Sequence, residues 1–412
     1  MQIDVSGLGL RLPGVAGPID LVRQLTGALA VPGGARELTA PHTDLPPIRR
    51  RTADPVPVRL PEGLPTRGLR GWPHESLLAL AAAAEAGIEA GPPAGLRTVG
   101  TAEAGAGAPG GPAGPAAGAL GGPAGPAAVG PDEPAPGGAV LWASSTAGLR
   151  EYAAICTDAA LLDPGLTSPV LAPLSAYNGP AATVSIRLGL TGPTETVIGG
   201  VTAGMSAVVE AVRFLAAGAA VRALVGGSAS ISRWSVPDGD HGPETAAGMP
   251  AEGAGCLVLD RSPAAAGTGA GGAAGTVRLL AARRIGLAHP DELTDVLAGS
   301  STGSGGPAGS GGPAGSGGLA RSGGPVGSGG PTGSGGPPEL VVLSSADPGA
   351  VEGLGARNAY HLEGRLGDFG AAGGLLAVVA AVAYCRTAAG PVTARAVAVE
   401  PGMACIVEVA AG

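Results

Sequence analysis

PVLAPLSAYNGPAATVSIRLGLTGPTETVIGGVTAGMSAVVEAVRFLAAGAAVRALVGGSAS, residues 169–230, decides how the rest of the chain is read. Residues 194–198 (TETVI) are β-branched at four of five positions, which predicts a buried strand. Gly199-Gly200 predicts a tight turn. From there Val201, Met205, Val208, Val209, Val212 and Leu215 recur at helical spacing. Residues 221–225 are a second apolar run, which Gly226-Gly227 is expected to end. The segment thus reads as strand, glycine corner, helix, strand. In many α/β enzymes such a corner presents a nucleophile at a helix N-terminus, where orphan N–H groups and the dipole stabilise negative charge. Here the corner residue is Val201, which carries no nucleophile.

The 412 residues suffice for a large core. The 77 glycines and 40 prolines are concentrated in patches, so ordered segments alternate with low-complexity ones. A net charge of −8 argues against general nucleic-acid or anionic-membrane binding. Cys156, Cys256, Cys385 and Cys405 form no CxxC pair, so neither a zinc site nor a disulfide framework is expected, and reduced thiols are. The start, MQIDVSGLGLRLPGV, lacks the pattern of a secretory signal, and residues 371–384 are apolar but short for a membrane span. These features predict a cytoplasmic protein with no metal and no cofactor.

Outward from the corner, residues 3–8 predict a short strand giving way to a turn at Gly7 and Gly9. GLGLRLPG is no dinucleotide fingerprint, because Leu12 stands where GxGxxG needs its third glycine. Residues 19–25 and 75–90 (ESLLALAAAAEAGIEA) predict helices. Residues 31–73 are polar and proline-broken. Arg49-Arg50-Arg51 is expected on a solvated loop there, with an acidic carrier protein as the sharper reading. Residues 103–138 repeat GGPAGPAA, and residues 302–337 repeat xGSGGP; both are expected to be disordered insertions. Strands are predicted at 139–143, 249–260, 277–285, 340–343, 392–399 and 404–409. Helices are predicted from Leu149, at 290–297 and at 371–384, and a loop carrying His241 at 233–247.

Taken in order, VSGLGLRLPG, ESLLALAAAAEAGIEAG, WASSTAGLREY, SAYNGPAATVSIRLGLTGP, ALVGGSAS, AEGAGCLVLDR and GDFGAAGGLLAVVAAV resemble the β-ketoacyl synthase family over the whole chain outside the two insertions. The resemblance implies an α/β thiolase-like fold of five layers, αβαβα, built from two pseudo-equivalent halves, residues 1–247 and 248–412. It also implies a chemistry of one cysteine nucleophile and two histidines that polarise a decarboxylating malonyl thioester. Carried onto this sequence, the nucleophile position is Val201. The segment for the first histidine is SSADPG from Ser344, with no histidine; the second histidine is replaced by Asp368; the family's lysine falls on Glu363.

Relatives that lack the nucleophile and pair with an active ketosynthase are the chain-length factors, or ketosynthase β-subunits, of type II polyketide pathways. This chain resembles them most, although their usual corner residue is glutamine. Valine cannot donate a hydrogen bond to a thioester, which argues against malonyl decarboxylation. The resemblance implies a heterodimer with a catalytic ketosynthase through Thr194, Glu195, Thr196, Val197 and Ile198. It also implies an acyl pocket walled by Val201, Met205 and Val208, whose alternative place is ordinary core, and an acyl carrier protein as a further partner. Two alternatives stand beside it: an acyltransferase with a relocated nucleophile, and a non-enzymatic acyl-binding homodimer. For relocation the candidates are Thr202, His361 and the thiols of Cys256, Cys385 and Cys405. Surface or structural roles are the simpler expectation for these, as capping or solvation is for Asp368 with Glu363.

Overall fold

The computed structural model describes residues 1–27, 33–39, 47–62, 64, 68–69, 71–91, 137–236, 249–262, 276–287, 292–293, 340–345 and 358–411. The expected insertions (Gly137 and Gly138 apart), His241 and most of the 290–297 helix lie outside them.

The chain begins with β1 (Gln2–Arg11), α1 (Pro18–Thr26), a hairpin of β2 (Gly33–Leu38) and β3 (Ile48–Ala53), and α2 (His74–Ala90). β4 (Ala139–Ala143), α3 (Leu149–Leu161), α4 (Leu171–Leu174), α5 (Gly179–Leu188), β5 (Thr194–Val197), α6 (Ala203–Ala217), β6 (Arg222–Ala229) and β7 (Gly253–Ser262) follow. Then come β8 (Val277–Gly286), β9 (Leu340–Ser345), β10 (Ala359–His361), α7 (Leu362–Leu366), α8 (Gly373–Thr387), β11 (Thr393–Glu400) and β12 (Met403–Ala411).

Ten strands form one sheet in the order β10-β9-β11-β12-β8-β1-β7-β6-β4-β5. From either edge inward the same pattern appears. The third strand of a five-strand set is outermost, followed by the second, fourth, fifth and first. In the first set β4 is parallel to β5 and β6, while β7 is antiparallel to β6 and β1. In the second set β9 is parallel to β10 and β11, while β12 is antiparallel to β11 and β8. Strands of the two sets hydrogen-bond to each other where β1 pairs with β8, from Ile3↔Leu279 to Val5↔Val277. Identical order and direction in both sets make the chain a structural duplication. The sequence boundary at 247/248 leaves β7 with the second half, but its hydrogen bonds run to β1 and β6 of the first.

α6 and α8 occupy corresponding places, each between the third and fourth strands of its set. They lie in contact within the main core, against Leu257 and Leu259 of β7 and Val342, Ala396 and Val407 of the second set. α8 has apolar residues on all sides and is buried almost throughout. Among the described residues, the one stretch long and apolar enough to cross a membrane is thus the core's central helix. On the other face of the first set, Leu78, Ala79, Ala82, Ala83 and Ala86 of α2 pack with α5 over Val140, Trp142, Leu224 and Val258. Leu287 and Leu293 cover the far face of the second set, over Leu343, Val397 and Ile406.

Four expectations are corrected by this packing. Gly7 and Gly9 lie inside β1 and make no turn. A Cβ there would stand 2.1 Å from Ala86 O and 1.8 Å from Ala82 O, so glycine lets α2 settle directly on the strand. β6 runs through Gly226-Gly227, because the Trp142 ring occupies the space a side chain at Gly226 would need, 2.0 Å from its Cβ position. Arg49-Arg50-Arg51 lies on β3, paired with β2. The TETVI strand is the sheet's edge, with Thr194 and Glu195 exposed, so only half of its pairing is made. One helix, α5, is absent from the strand–corner–helix–strand reading. Pro180 opens it and Gly189, at φ 66°, closes it, but Thr183, Val184 and Ile186 gave it a β-like composition.

Candidate functional site

β5 ends at the glycine corner, and α6 begins after Thr202 with no side-chain cap. Ala203 N donates to Gly200 O at 3.0 Å and Ser206 N to Thr202 O at 2.9 Å, which winds the first turn. The Val201 carbonyl accepts from Gly374 N at 3.1 Å, so the N-terminal ends of α6 and α8 are tied together at the corner. This approach requires glycine on both helices. A Cβ at Gly374 would lie 2.4 Å from Val201 O, and one at Gly204 would lie 2.5 Å from Leu375 N. The Val201 side chain is 7 % exposed, and Met205 and Val208 are sealed in the main core, Met205 against α8.

Glu363 lies at the start of α7 and is wholly buried. Ser344 Oγ and Ser345 N at the end of β9 donate to its two oxygens, the amide at 3.1 Å. Gly373, at the start of α8, leaves room for this group, since a Cβ there would lie 2.7 Å from Glu363 Oε1. Burial pushes the Glu363 carboxyl up to about 8, against the lowering effect of the Ser344 and Ser345 hydrogen bonds.

His361 caps α7. Its Nδ1 accepts from Gly364 N at 3.2 Å, so Nε2 carries the proton and donates to Ser345 O at 2.8 Å. This makes it neither a surface histidine nor one free to swing. Asp368 is exposed, and its Oδ1 accepts from Gly370 N at 2.7 Å, a capping role that separates it from buried Glu363. Its backbone makes an isolated bridge to the segment just before β7, with Asp368 N donating to Met249 O and Ala251 N to Asp368 O, both at 2.8 Å. Thr202, Cys256, Cys385 and Cys405 are buried, and burial pushes the thiols of Cys256 and Cys405 up, which disfavours thiolate. Among the described residues no cluster suited to a metal ion occurs.

Sequence reasoning missed a second buried carboxylate. Glu75, in the first turn of α2, accepts from Ser144 and Ser228 at Oε1 and from Thr146 and Ser230 at Oε2. The oxygens of three of these hydroxyls are already acceptors. Ser144 Oγ receives Ala147 N, Thr146 Oγ1 receives Ser230 N, and Ser228 Oγ receives Trp142 Nε1. Their own protons are therefore directed at Glu75. Desolvation raises the Glu75 pKa while the four hydroxyl bonds act to lower it. The network locks the loop after β4 to the end of β6; that loop also holds the end of β5, through Ser144 N donating to Val197 O at 3.2 Å, and abuts the turn before α8, since a Cβ at Gly370 would lie 3.0 Å from Ser145 Oγ. Its signal was in the sequence: an acid stands in the first turn of a helix whose next nine residues are apolar but for Ser76, and WASST and GGSAS supply hydroxyls at the ends of two strands.

No protein-family model matches the chain, and no curated protein matches it in sequence. Solved structures do. The ishigamide ketosynthase/chain length factor superposes with a TM-score of 0.62 at 17 % identity, over 100 % of this chain and 99 % of that one. A type II PKS ketosynthase, in complex with its acyl-carrier protein and bound to the hexaketide, gives 0.62 at 12 % identity, over 100 % and 99 %. The ketosynthase from module 1 of the bacillaene synthase from Bacillus amyloliquefaciens FZB42 gives 0.56 at 12 %, over 99 % of this chain and 75 % of that one. The duplicated five-strand units and the paired central helices are thus the thiolase-like fold of the ketosynthases.

Proposed function

We propose that this chain is a non-condensing, ketosynthase-like subunit that pairs with a catalytic ketosynthase and helps bound its acyl pocket. The observation that carries the reading is the α6 corner. Valine stands at the helix N-terminus, and the position expected to carry the family's lysine holds a buried carboxyl, Glu363. Neither group supplies a nucleophile or a cation for a developing enolate. The buried state of Thr202 and of three of the four thiols weighs against a relocated nucleophile.

The open edge of β5 supports pairing. Ile198 is 58 % exposed just beyond the strand, and Ile186 of the adjoining α5 is 72 % exposed. Such apolar side chains beside an unpaired edge favour a partner. Met205 and Val208 are buried in the main core, so Val201 is the wall residue favoured among the three candidates. An acyl carrier protein as second partner rests on the basic strand Arg49-Arg50-Arg51. We place the junction of the two halves between Ser262 and Val277, where the strand pattern restarts.

Co-expression with a cysteine-bearing ketosynthase tests the proposal. A stable 1:1 complex is expected, with no acyl adduct on this chain by mass spectrometry after exposure to a reactive acyl thioester. An adduct on this chain, or a homodimer that ignores the ketosynthase, overturns it.

A further inference from the structure

β11 ends at Glu400, which continues the row of Ala394, Ala396 and Ala398 that faces the main core. The row leads to the glycine corner. A Cβ at Gly374 would stand 3.1 Å from Ala398 Cβ, and one at Gly200 would stand 2.4 Å from Glu400 Oε2. A carboxylate of the second set thus lies against the residue before Val201, in space that only a glycine leaves open. Its stem is held by a hairpin, since Glu400 pairs with Met403 across Pro401 and Gly402, the latter at φ 83°. Cys405, on the returning strand, has its Sγ 3.6 Å from Ser206 Oγ in the first turn of α6. Burial pushes that thiol up, and the nearby charge of Glu400 adds to the effect.

Two fields meet at the corner. The start of α6 carries no side-chain cap, so its positive end favours an anion. Glu400 already supplies one, and among the described residues no hydrogen bond or ion pair neutralises it. Arg284, which also acts on Cys405, forms no ion pair with it. A further negative charge brought to Val201 would therefore meet an unneutralised carboxylate. We propose that Glu400 sets the charge of what the corner admits: uncharged acyl groups reach Val201, and acyl groups that carry a carboxylate are turned away. The inference rests on the reading of Val201 as a pocket wall and extends it to the class of chain that the pocket takes.

Val201→Cys places a reporter thiol at the corner. Its alkylation by neutral iodoacetamide and by anionic iodoacetate is followed on the peptide by mass spectrometry, so that exposed Cys156 does not interfere. Both reagents are attacked by the same thiolate, so their rate ratio, referred to free glutathione, reads the local charge. Glu400→Gln keeps the shape and removes the charge. It should raise the iodoacetate-to-iodoacetamide ratio about three- to tenfold, the worth of a like charge a few ångströms away beside solvent. Glu37→Gln, an equal change of net charge on β2, should leave the ratio unchanged. An unaltered ratio in Glu400→Gln overturns the proposal, as does an equal change from Glu37→Gln. A reporter that neither reagent reaches, in Glu400→Gln and Glu400→Ala alike, overturns it too, because another group then closes the corner. Should Val201→Cys fail to melt cooperatively, Gly199→Cys, where a Cβ meets only Ala203 Cβ at 3.4 Å, carries the same test. The ratio is read on the single chain, so failure to pair with a ketosynthase and failure of this proposal are distinct results.

Discussion

Glu363 and Glu75 are both buried carboxyls, and their partners give them different roles. Glu363 has a folded pKa raised from the ordinary 4.5 to about 8, chiefly by burial. For an acid raised in this way, the folded state holds the extra proton between the two values. Its contribution is complete below about 4.5, declines as pH rises, and is gone above about 8. Urea denaturation at pH 5.5 and 7.5 should therefore show a loss on the order of 1 kcal/mol per pH unit. Glu363→Gln, which keeps an acceptor for Ser344 but cannot ionise, should flatten that slope; an unchanged slope would mean that another group titrates. Glu75 has no such substitute. Glu75→Ala orphans four hydroxyls and should cost at least about 3 kcal/mol by chemical denaturation. Glu75→Gln, which supplies one acceptor oxygen where the carboxylate has two, should fall between.

At the scale of elements, the edge strand β5 and the helix pair α6–α8 do opposite work. β5 pairs only with β4, and the residue after it, Ile198, faces solvent. Ile198→Asp should leave the melting of the isolated chain within about 0.5 kcal/mol of wild type, as surface changes usually do. The same change should abolish association with a ketosynthase in sedimentation. Retained association would move the interface elsewhere. β5 and α6 were legible in the sequence because a β-branched run and a 3.6-residue apolar period are local signals. The helix α5 was not, since its β-branched residues outweigh the Pro180 and Gly189 signals until it packs against α2.

Across the whole molecule, the two five-strand sets share one core. They meet through three residue pairs of β1 and β8, while α6 and α8 bury their apolar sides against both sets. Neither set can bury its inner face without the other. Expressed by itself, residues 1–262 should show a molten state by near-ultraviolet circular dichroism and rapid proteolysis, and co-expression with 263–412 should restore resistance. A cooperatively folded 1–262 fragment would show that the halves are independent. β7 closes the first set by pairing with β1, more than 240 positions upstream.

By itself the sequence determined the fold class, the order of the main strands and helices, and the presence of valine at the glycine corner, because periodicity and residue identity are local. The environment of Glu363, the capping roles of His361 and Asp368, the four-hydroxyl shell of Glu75, and the reasons for Gly7, Gly9, Gly226 and Gly374 were decided only in three dimensions. Each depends on a backbone or side chain brought close from elsewhere in the chain. Burial, hydrogen-bond saturation and the space left for a Cβ exist only once those surfaces meet.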